Sequence, residues 1–372
     1  MGLSLEENIE RYGGKHGGLL HVRENVAGGQ IVPTFELLEP GQNYNWATRR
    51  AVLAACKETG AQGVIVRTSE KSDWRGMVDT MPTVVTSDWS LSIMRAISKV
   101  RRRCEDKGLL KYAETEGNGY DPGRVTVSIA PYFRPAEESP RTLITQHPTL
   151  DGVHLADASW QAYSNGQFDH QSFDFDAKGG LLYEYLGKER LIDAEKASAL
   201  VRQIEKAGVL PKTEAFQFEG GFNKGQPQLF QVRHLADRRS ADFRLNKEKR
   251  PQFLRDFGVT PSEGVELEVV RMGTRGEFAN FEAQNPGVNY LLIVDSATDQ
   301  LAITDQPTNM QGYMINMKPA LSHQATRLVQ MSLRNSNGVT SLASLGKLDN
   351  LRHGNRVRII ADGLRQRIEV LG

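Results

Sequence analysis

The sequence predicts an α/β chain of the α+β kind, with a larger mixed domain followed by a smaller strand-rich one. Three observations predict it. Strand-like and helix-like runs alternate from residue 31 to residue 208. Two strand-like runs, 213–221 and 226–235, then meet around the short loop Phe222-Asn223-Lys224-Gly225. Beyond a charged stretch at 236–253 the composition shifts to β-branched runs. The expected organisation is a first domain over 1–235, a linker over 236–261 and a second domain over 262–372.

The elements follow in order. Residues 1 to 25 open with a short helix and a glycine-rich turn, from which a second helix starts near His16. Residues 31–38 read as a strand that Pro33 interrupts early. Residues 45–60 have helical periodicity and end at Gly60, a suitable C-cap. Residues 63–69 are β-branched and bounded by a glycine and a polar turn, which predicts a strand. Residues 87–108 read as a long amphipathic helix capped by Ser87 or Asp88. Strands are expected at 124–133 and 152–160, and a helix over 194–208. The 236–253 stretch reads as a partly helical linker. In the second domain only 322–335 is clearly helical.

Composition narrows the function classes. The chain has 372 residues, a formal net charge of +1 and 24% charged residues. Such a balance gives no electrostatic reason to expect nucleic acid as a partner. The densest basic run, Lys99 to Arg103, reads as the solvated end of a helix. No apolar run reaches the length of a membrane span, and the polar N-terminus has no signal core. The two cysteines, Cys56 and Cys104, lie outside any C-x-x-C pattern, so a reduced, cytoplasmic chain is expected. The histidines have no zinc-ligand spacing.

Four places offer chemistry. Lys15 follows Gly13-Gly14 at a helix start, where backbone N–H groups and a flexible ammonium suit phosphate; a turn alone would also account for it. Arg67 ends a strand and is followed by a loop containing Gly76, again a phosphate-binding arrangement, with a surface ion pair as the plainer alternative. Gln231 and Arg233 are two apart on one strand and share a face, to which a hairpin could bring Glu219. A carboxylate and an amide oxygen suit magnesium, with arginine on a transferred phosphoryl group. His323 follows Ser322 at a helix start, a setting fit for a nucleophilic imidazole or for a simple cap. Trp74 reads as packing.

In this order the segments resemble the ATP-grasp nucleotide domain of pyruvate phosphate dikinase and phosphoenolpyruvate synthase. GGKHGGL and QIVPTFELL are similar to that family's G-G-K-x-x-x-L and V-P-x-G-F. VRTSEKSDWRGMVDT resembles V-R-S-G…P-G-M-M-D-T, and residues 154–169 resemble A-S-W-G-L-G-E…V-S-G. Glu219 followed by Gln231-Val232-Arg233 resembles E-W-A…L-Q-x-R. The resemblance implies that Lys15, Arg67 and Arg233 hold ATP phosphates and that Glu219 and Gln231 hold magnesium. It implies a loop over the phosphates from Gly76 to Thr80, with Asp79 in it. Residues 348–371 resemble the ending of the family's swivelling phosphohistidine domain, of β/β/α type, which implies that His323 carries the phosphoryl group.

The departures are specific. Gln161-Ala162-Tyr163 stands for Gly-Leu-Gly, Ser164 stands for a glutamate, and Pro319-Ala320-Leu321 replaces the family's glycine pair and threonine. The family's third unit is a large barrel of about 250 residues, and no segment here is left to build it. The expectation is an ATP- and magnesium-dependent phosphotransferase. It would pass a phosphoryl group through His323 to an unidentified small-molecule or protein acceptor, with a homo-oligomer left open. The alternative is a degenerate relative that binds nucleotide or a partner without transfer.

Overall fold

The computed structural model describes residues 2–26, 31–61, 63–75, 83–87, 90–107, 109–110, 119–132, 141–146, 152, 154–159, 170–176, 178–185, 194–223, 226–237, 254–256, 266–272, 275–286, 288–294, 310–315, 340–344, 351–362 and 365–371. The chain divides into two compact units. One comprises Met1–Thr142 with Glu195–Leu235, the other Leu143–Ala194 with Ala236–Gly372.

The first unit begins with α1 (Leu5–Tyr12), started by a reciprocal cap in which Glu7 N–H donates to Ser4 Oγ and Ser4 N–H to Glu7 Oε2. Gly13, at φ 80°, ends α1 and starts α2 (Gly14–Asn25). The second helix therefore starts two residues before His16, where the sequence placed it. A left-handed residue between two helices favours glycine.

Pro33 leaves the expected 31–38 strand paired only over β1 (Glu36–Leu38). Next come α3 (Trp46–Thr59), β2 (Gly63–Ser69), a short 3₁₀ turn (Lys71–Arg75) and β3 (Thr83–Thr86). They are followed by α4 (Ser90–Cys104) and β4 (Thr126–Tyr132). The C-cap of α3 is as expected, with Gly60 left-handed at φ 69°, and Asn45 caps its start by accepting from Thr48 N–H.

The four strands form an antiparallel sheet in the order β1-β4-β2-β3. Strand alternation gives it two faces. Val64 and Val66 on β2, with Val127 and Ile129 on β4, pack on Val52 and Cys56 of α3 and on Ile93, Ile97 and Val100 of α4. The opposite face carries Arg67 and Ser69, paired in register with Ser128 and Thr126. The first turn of α2 covers this second face through bonds to Ser69 and Thr126.

The unit is completed by α5 (Ala194–Ala207), β9 (Glu214–Asn223) and β10 (Gln226–Asp237). These match the expected helix and paired strands, and Gly208 ends α5 at φ 65°.

The second unit contains β5 (Arg141–Gln146), β6 (His154–Ser159), β7 (His170–Phe175) and β8 (Leu181–Tyr185). Then come β11 (Leu254–Asp256), β12 (Glu266–Met272), α6 (Arg275–Gln284) and β13 (Tyr290–Val294). The last strands are β14 (Met310–Ile315), β15 (Thr340–Ser344), β16 (Arg356–Asp362) and β17 (Arg365–Val370). Strands β11 to β17 close into a barrel, in the order β11-β15-β14-β13-β12-β16-β17. Leu267, Val269, Leu291, Ile293, Val357 and Ile359 fill it.

Two expectations are corrected here. Leu254–Asp256, read as linker, is a barrel strand paired with β15 and β17. Residues 275–284, not read as helix, form α6, because β12 and β13 are parallel and need a crossover. The expected helix at 322–335 lies outside the described residues.

Gly14 sets a first test. A Cβ there would lie 2.1 Å from the Trp74 backbone nitrogen and 2.3 Å from Asp73 Oδ1. Gly14→Ala is expected to cost roughly 3 kcal/mol or more in chemical denaturation, as overpacking against backbone does. Gly60→Ala meets nothing within 4 Å and should cost only about 1 kcal/mol, from its left-handed backbone.

Candidate functional site

The site is built on the sheet face that α2 covers. Lys15 N–H donates to Asp73 Oδ1 at 2.8 Å and to Ser69 Oγ at 3.0 Å. Gly14 N–H donates to the Glu70 carbonyl at 3.0 Å. Ser69 Oγ donates to Asp73 Oδ1 at 3.2 Å, and Glu70 N–H to Asp73 Oδ2 at 3.3 Å. A helix N-terminus leaves its first N–H groups without intrahelical partners and attracts an anion. Here the anion is the chain's own carboxylate.

The expectation that these N–H groups cradle a phosphate is therefore corrected. They are already satisfied, and the ammonium of Lys15 is what the helix start can offer a ligand. Lys15 is half-buried, and its ammonium has no hydrogen bond or ion pair among the described residues.

Asp73 is 1% exposed. Burial pushes its carboxyl up to about 6, against the pull of Lys15 and of its hydrogen-bond donors.

His16 is 2% exposed and lies beside these groups. Burial, with Arg67 and Lys15 nearby, drives its imidazolium down to about 3, so the ring is neutral near pH 7. Its Nδ1 is 3.0 Å from Thr126 Oγ1. Thr126 in turn donates to the Tyr12 carbonyl at 2.6 Å, with the Ser69 carbonyl at 3.2 Å. The single hydroxyl proton is thus used, and Thr126 accepts from His16 Nδ1–H.

Arg67 is half-buried on the same face, and its Nη1 donates to the Phe230 carbonyl of β10 at 3.1 Å. The next residues on β10 include two of the expected site. Gln231 is buried, and Arg233 is 2% exposed. Arg233 Nε donates to Gln217 Oε1 at 2.6 Å, and Nη2 reaches the same oxygen. That bond places Gln217 of β9 on the face of Gln231 and Arg233, and the two-residue period adds Glu219. Trp74 is buried and tilted against Phe216, with ring centroids 5.8 Å apart, so it packs as expected.

Three sequence-predicted segments thus meet in the first unit: Lys15 on α2, Arg67 on β2 and the Glu219, Gln231 and Arg233 group on β9 and β10. Gly76, Asp79 and Thr80 lie outside the described residues, as do Gln161 to Ser164 and His323. Sequence reasoning missed Ser69, Asp73, Thr126 and Gln217. Ser69 and Asp73 stand inside the quoted 66–80 segment, and a strand-end serine with an aspartate four residues on is a local capping signal. Thr126 and Gln217 have no such signal.

Hard oxygen donors are present for magnesium: the Glu219 carboxylate and the Gln231 amide. Magnesium takes few protein ligands and completes its shell with water and phosphate. Among the described residues no group of three or more His, Cys, Asp or Glu could hold a metal by itself. Nor is any described helix long and apolar enough to cross a membrane.

No family model matches the sequence. No curated protein matches it. Among solved structures, the chain is similar to a D-alanine–D-alanine ligase from Bacillus anthracis, at 12% identity over 60% of each chain and a TM-score of 0.30. The ATP complex of a D-alanine–D-alanine ligase from the same organism gives 10% identity, 62% of this chain, 61% of that one and a TM-score of 0.30. Cdc123 from Schizosaccharomyces pombe gives 8% identity over 63% of this chain and 87% of its own, with a TM-score of 0.30. The chain spans about three fifths of the length of these ligases.

The two buried titratable groups oppose each other. Asp73 has a folded pKa near 6, above its ordinary 3.8, so its contribution to stability grows as pH falls from about 6 to about 4. His16 has a folded pKa near 3, below its ordinary 6.5, so its contribution is lost as pH falls below about 6.5. Each slope is at most about 1.4 kcal/mol per pH unit. Asp73→Asn removes one of them, so the variant should lose stability between pH 6 and 4 more steeply than wild type, by up to that amount. Urea unfolding at pH 6, 5 and 4 checks it, and parallel curves would contradict the assignment.

Proposed function

We propose that residues 1–235 form an ATP-binding domain of the ATP-grasp kind and that the chain is an ATP-dependent phosphotransferase. One observation supports this reading above the others. The Arg67–Phe230 bond joins the strand-end arginine to the strand carrying Gln231 and Arg233, while Ser69 joins the same strand to Lys15. Segments separated by up to 163 residues in sequence thereby gather three cations with a carboxylate and an amide. The five ordered sequence resemblances give the same assignment.

Lys15, Arg67 and Arg233 would offset the negative charge of a polyphosphate and of its transferring group. Phosphoryl transfer depends mostly on such positioning and charge stabilisation. Glu219 and Gln231 would hold magnesium, which when bound neutralises and orients phosphate oxygens. The neutral His16 would keep a fourth positive charge out of the site. In this reading His323 accepts the phosphoryl group: an imidazole nitrogen lone pair forms the bond to phosphorus as the P–O bond breaks, and its electron pair leaves with the departing phosphate oxygen. The final acceptor is a small molecule or a partner protein. In the dikinase family, the resemblance implies, the γ-phosphate is released, the β-phosphoryl is the group carried and AMP remains.

Isothermal titration with MgATP is the first experiment. Lys15→Ala and Arg67→Ala should each weaken binding about 10- to 100-fold, the loss of one charge-assisted contact. Wild type that binds no MgATP would overturn the nucleotide assignment. Incubation with β- and γ-labelled ATP then tests transfer. Acid-labile label on wild type, absent from His323→Ala, is the expected result. Tight binding without label or AMP would identify a nucleotide-binding relative that transfers nothing.

A further inference from the structure

Of the three cations gathered in the first unit, Lys15 and Arg67 are half-buried, while Arg233 is 2% exposed. A cation taken out of water is costly unless its N–H groups are hydrogen-bonded. One edge of the Arg233 guanidinium meets a single side chain. Its Nε donates to Gln217 Oε1 at 2.6 Å, and its Nη2 donates to the same oxygen. Gln217 is itself 1% exposed. The two residues stand on β9 and β10, which are neighbours in one sheet. The bond therefore joins two rigid elements.

Two properties of this contact bear on a ligand. A guanidinium is a planar fork, so holding Nε and Nη2 on one acceptor fixes the direction in which that plane lies. The acceptor is also uncharged. A carboxylate of the same length would take the same two N–H groups and form the stronger, ionic pair. It would also bring a negative charge into the group that the nucleotide reading assigns to phosphate.

We propose that Gln217 is a positioning residue for Arg233. It sets the direction of the guanidinium for a polyphosphate and adds no negative charge that would repel one. The proposal rests on the nucleotide reading above.

The test uses the full chain and two substitutions that separate the acceptor from its lack of charge. Gln217→Met keeps the length of the side chain and removes the oxygen. Gln217→Glu keeps the oxygen and adds one negative charge. Affinities for MgATP and for inorganic tripolyphosphate are measured by calorimetry, and thermal unfolding is followed without ligand.

Gln217→Met should bind both ligands about tenfold more weakly, as expected when one charge-assisted hydrogen bond is lost. In an Arg233→Met background it should have little further effect, since it acts through the missing group. Gln217→Glu should melt at or above the wild-type temperature and yet bind both ligands about tenfold more weakly or worse. A residue that only held the two strands together would show stability and affinity changing in the same direction. In the ¹⁵N spectrum, the Arg233 Nε–H should exchange slowly in wild type and in Gln217→Glu, and faster in Gln217→Met.

Wild-type affinity in either variant, or additive losses with Arg233→Met, would overturn the proposal and leave the nucleotide reading standing. Should Gln217→Met fail to fold, the opposed shifts expected of Gln217→Glu decide alone. Wild type that binds tripolyphosphate without MgATP would overturn the nucleotide reading alone. Binding of neither would overturn both.

Discussion

The buried Asp73 carboxylate at the start of α2 holds the first unit in register. Its two oxygens take N–H groups from Lys15 and Glu70 and the hydroxyl of Ser69. A carboxylate out of water is costly unless it is hydrogen-bonded, and here three donors and a helix dipole offset the cost. The arrangement demands close backbone approach. A Cβ on Gly13 would fall 2.4 Å from Ser69 Oγ, and one on Gly14 would strike Trp74 and Asp73. The glycines are thus required by the carboxylate that the helix caps itself with.

This internal anion redirects the chemistry of the helix start. An open helix N-terminus binds phosphate through backbone N–H groups. With those groups engaged, the charge the proposed function assigns to a phosphate is that of side chains: the ammonium of Lys15, the guanidinium of Arg67 and, farther along β10, the buried Arg233. Flexible cations reach developing charge differently from a rigid ring of N–H groups, and they need neighbours to orient them. Phe230 supplies one such contact to Arg67, and Gln217 supplies one to Arg233. Both are neutral oxygens that orient a cation while leaving its charge in place.

Much of the fold was legible because its signals are local. Asn45 and Gly60 bracket α3 through cap chemistry that needs no distant partner. Residues 63–69 and 126–132 show the β-branched alternation of strands with one face on a core. The charged residues of the candidate site could be picked out as residue types near strand ends and helix starts. The helix α6 was not, since its sequence, RGEFANFEAQ, has few apolar positions. Its place follows from the parallel pairing of β12 with β13, and its Phe281 packs edge-on against Tyr290. Leu254–Asp256 likewise became a strand because β15 and β17 offered edges on both sides.

By itself the sequence determined which residues could carry charge and metal-binding oxygen, and the local elements on which they sit, because caps, turns and alternation depend on neighbours in the chain. Only the tertiary structure decided which of these groups remain available. Lys15 and Asp73 are 58 residues apart, and His16 and Thr126 are 110 apart. No periodicity connects them. It took the pairing of β2 with β4, and the seating of α2 on their shared face, to turn Asp73 into a helix cap. The same packing made His16 a neutral ring and, among the described residues, gave the Lys15 ammonium no hydrogen bond or ion pair.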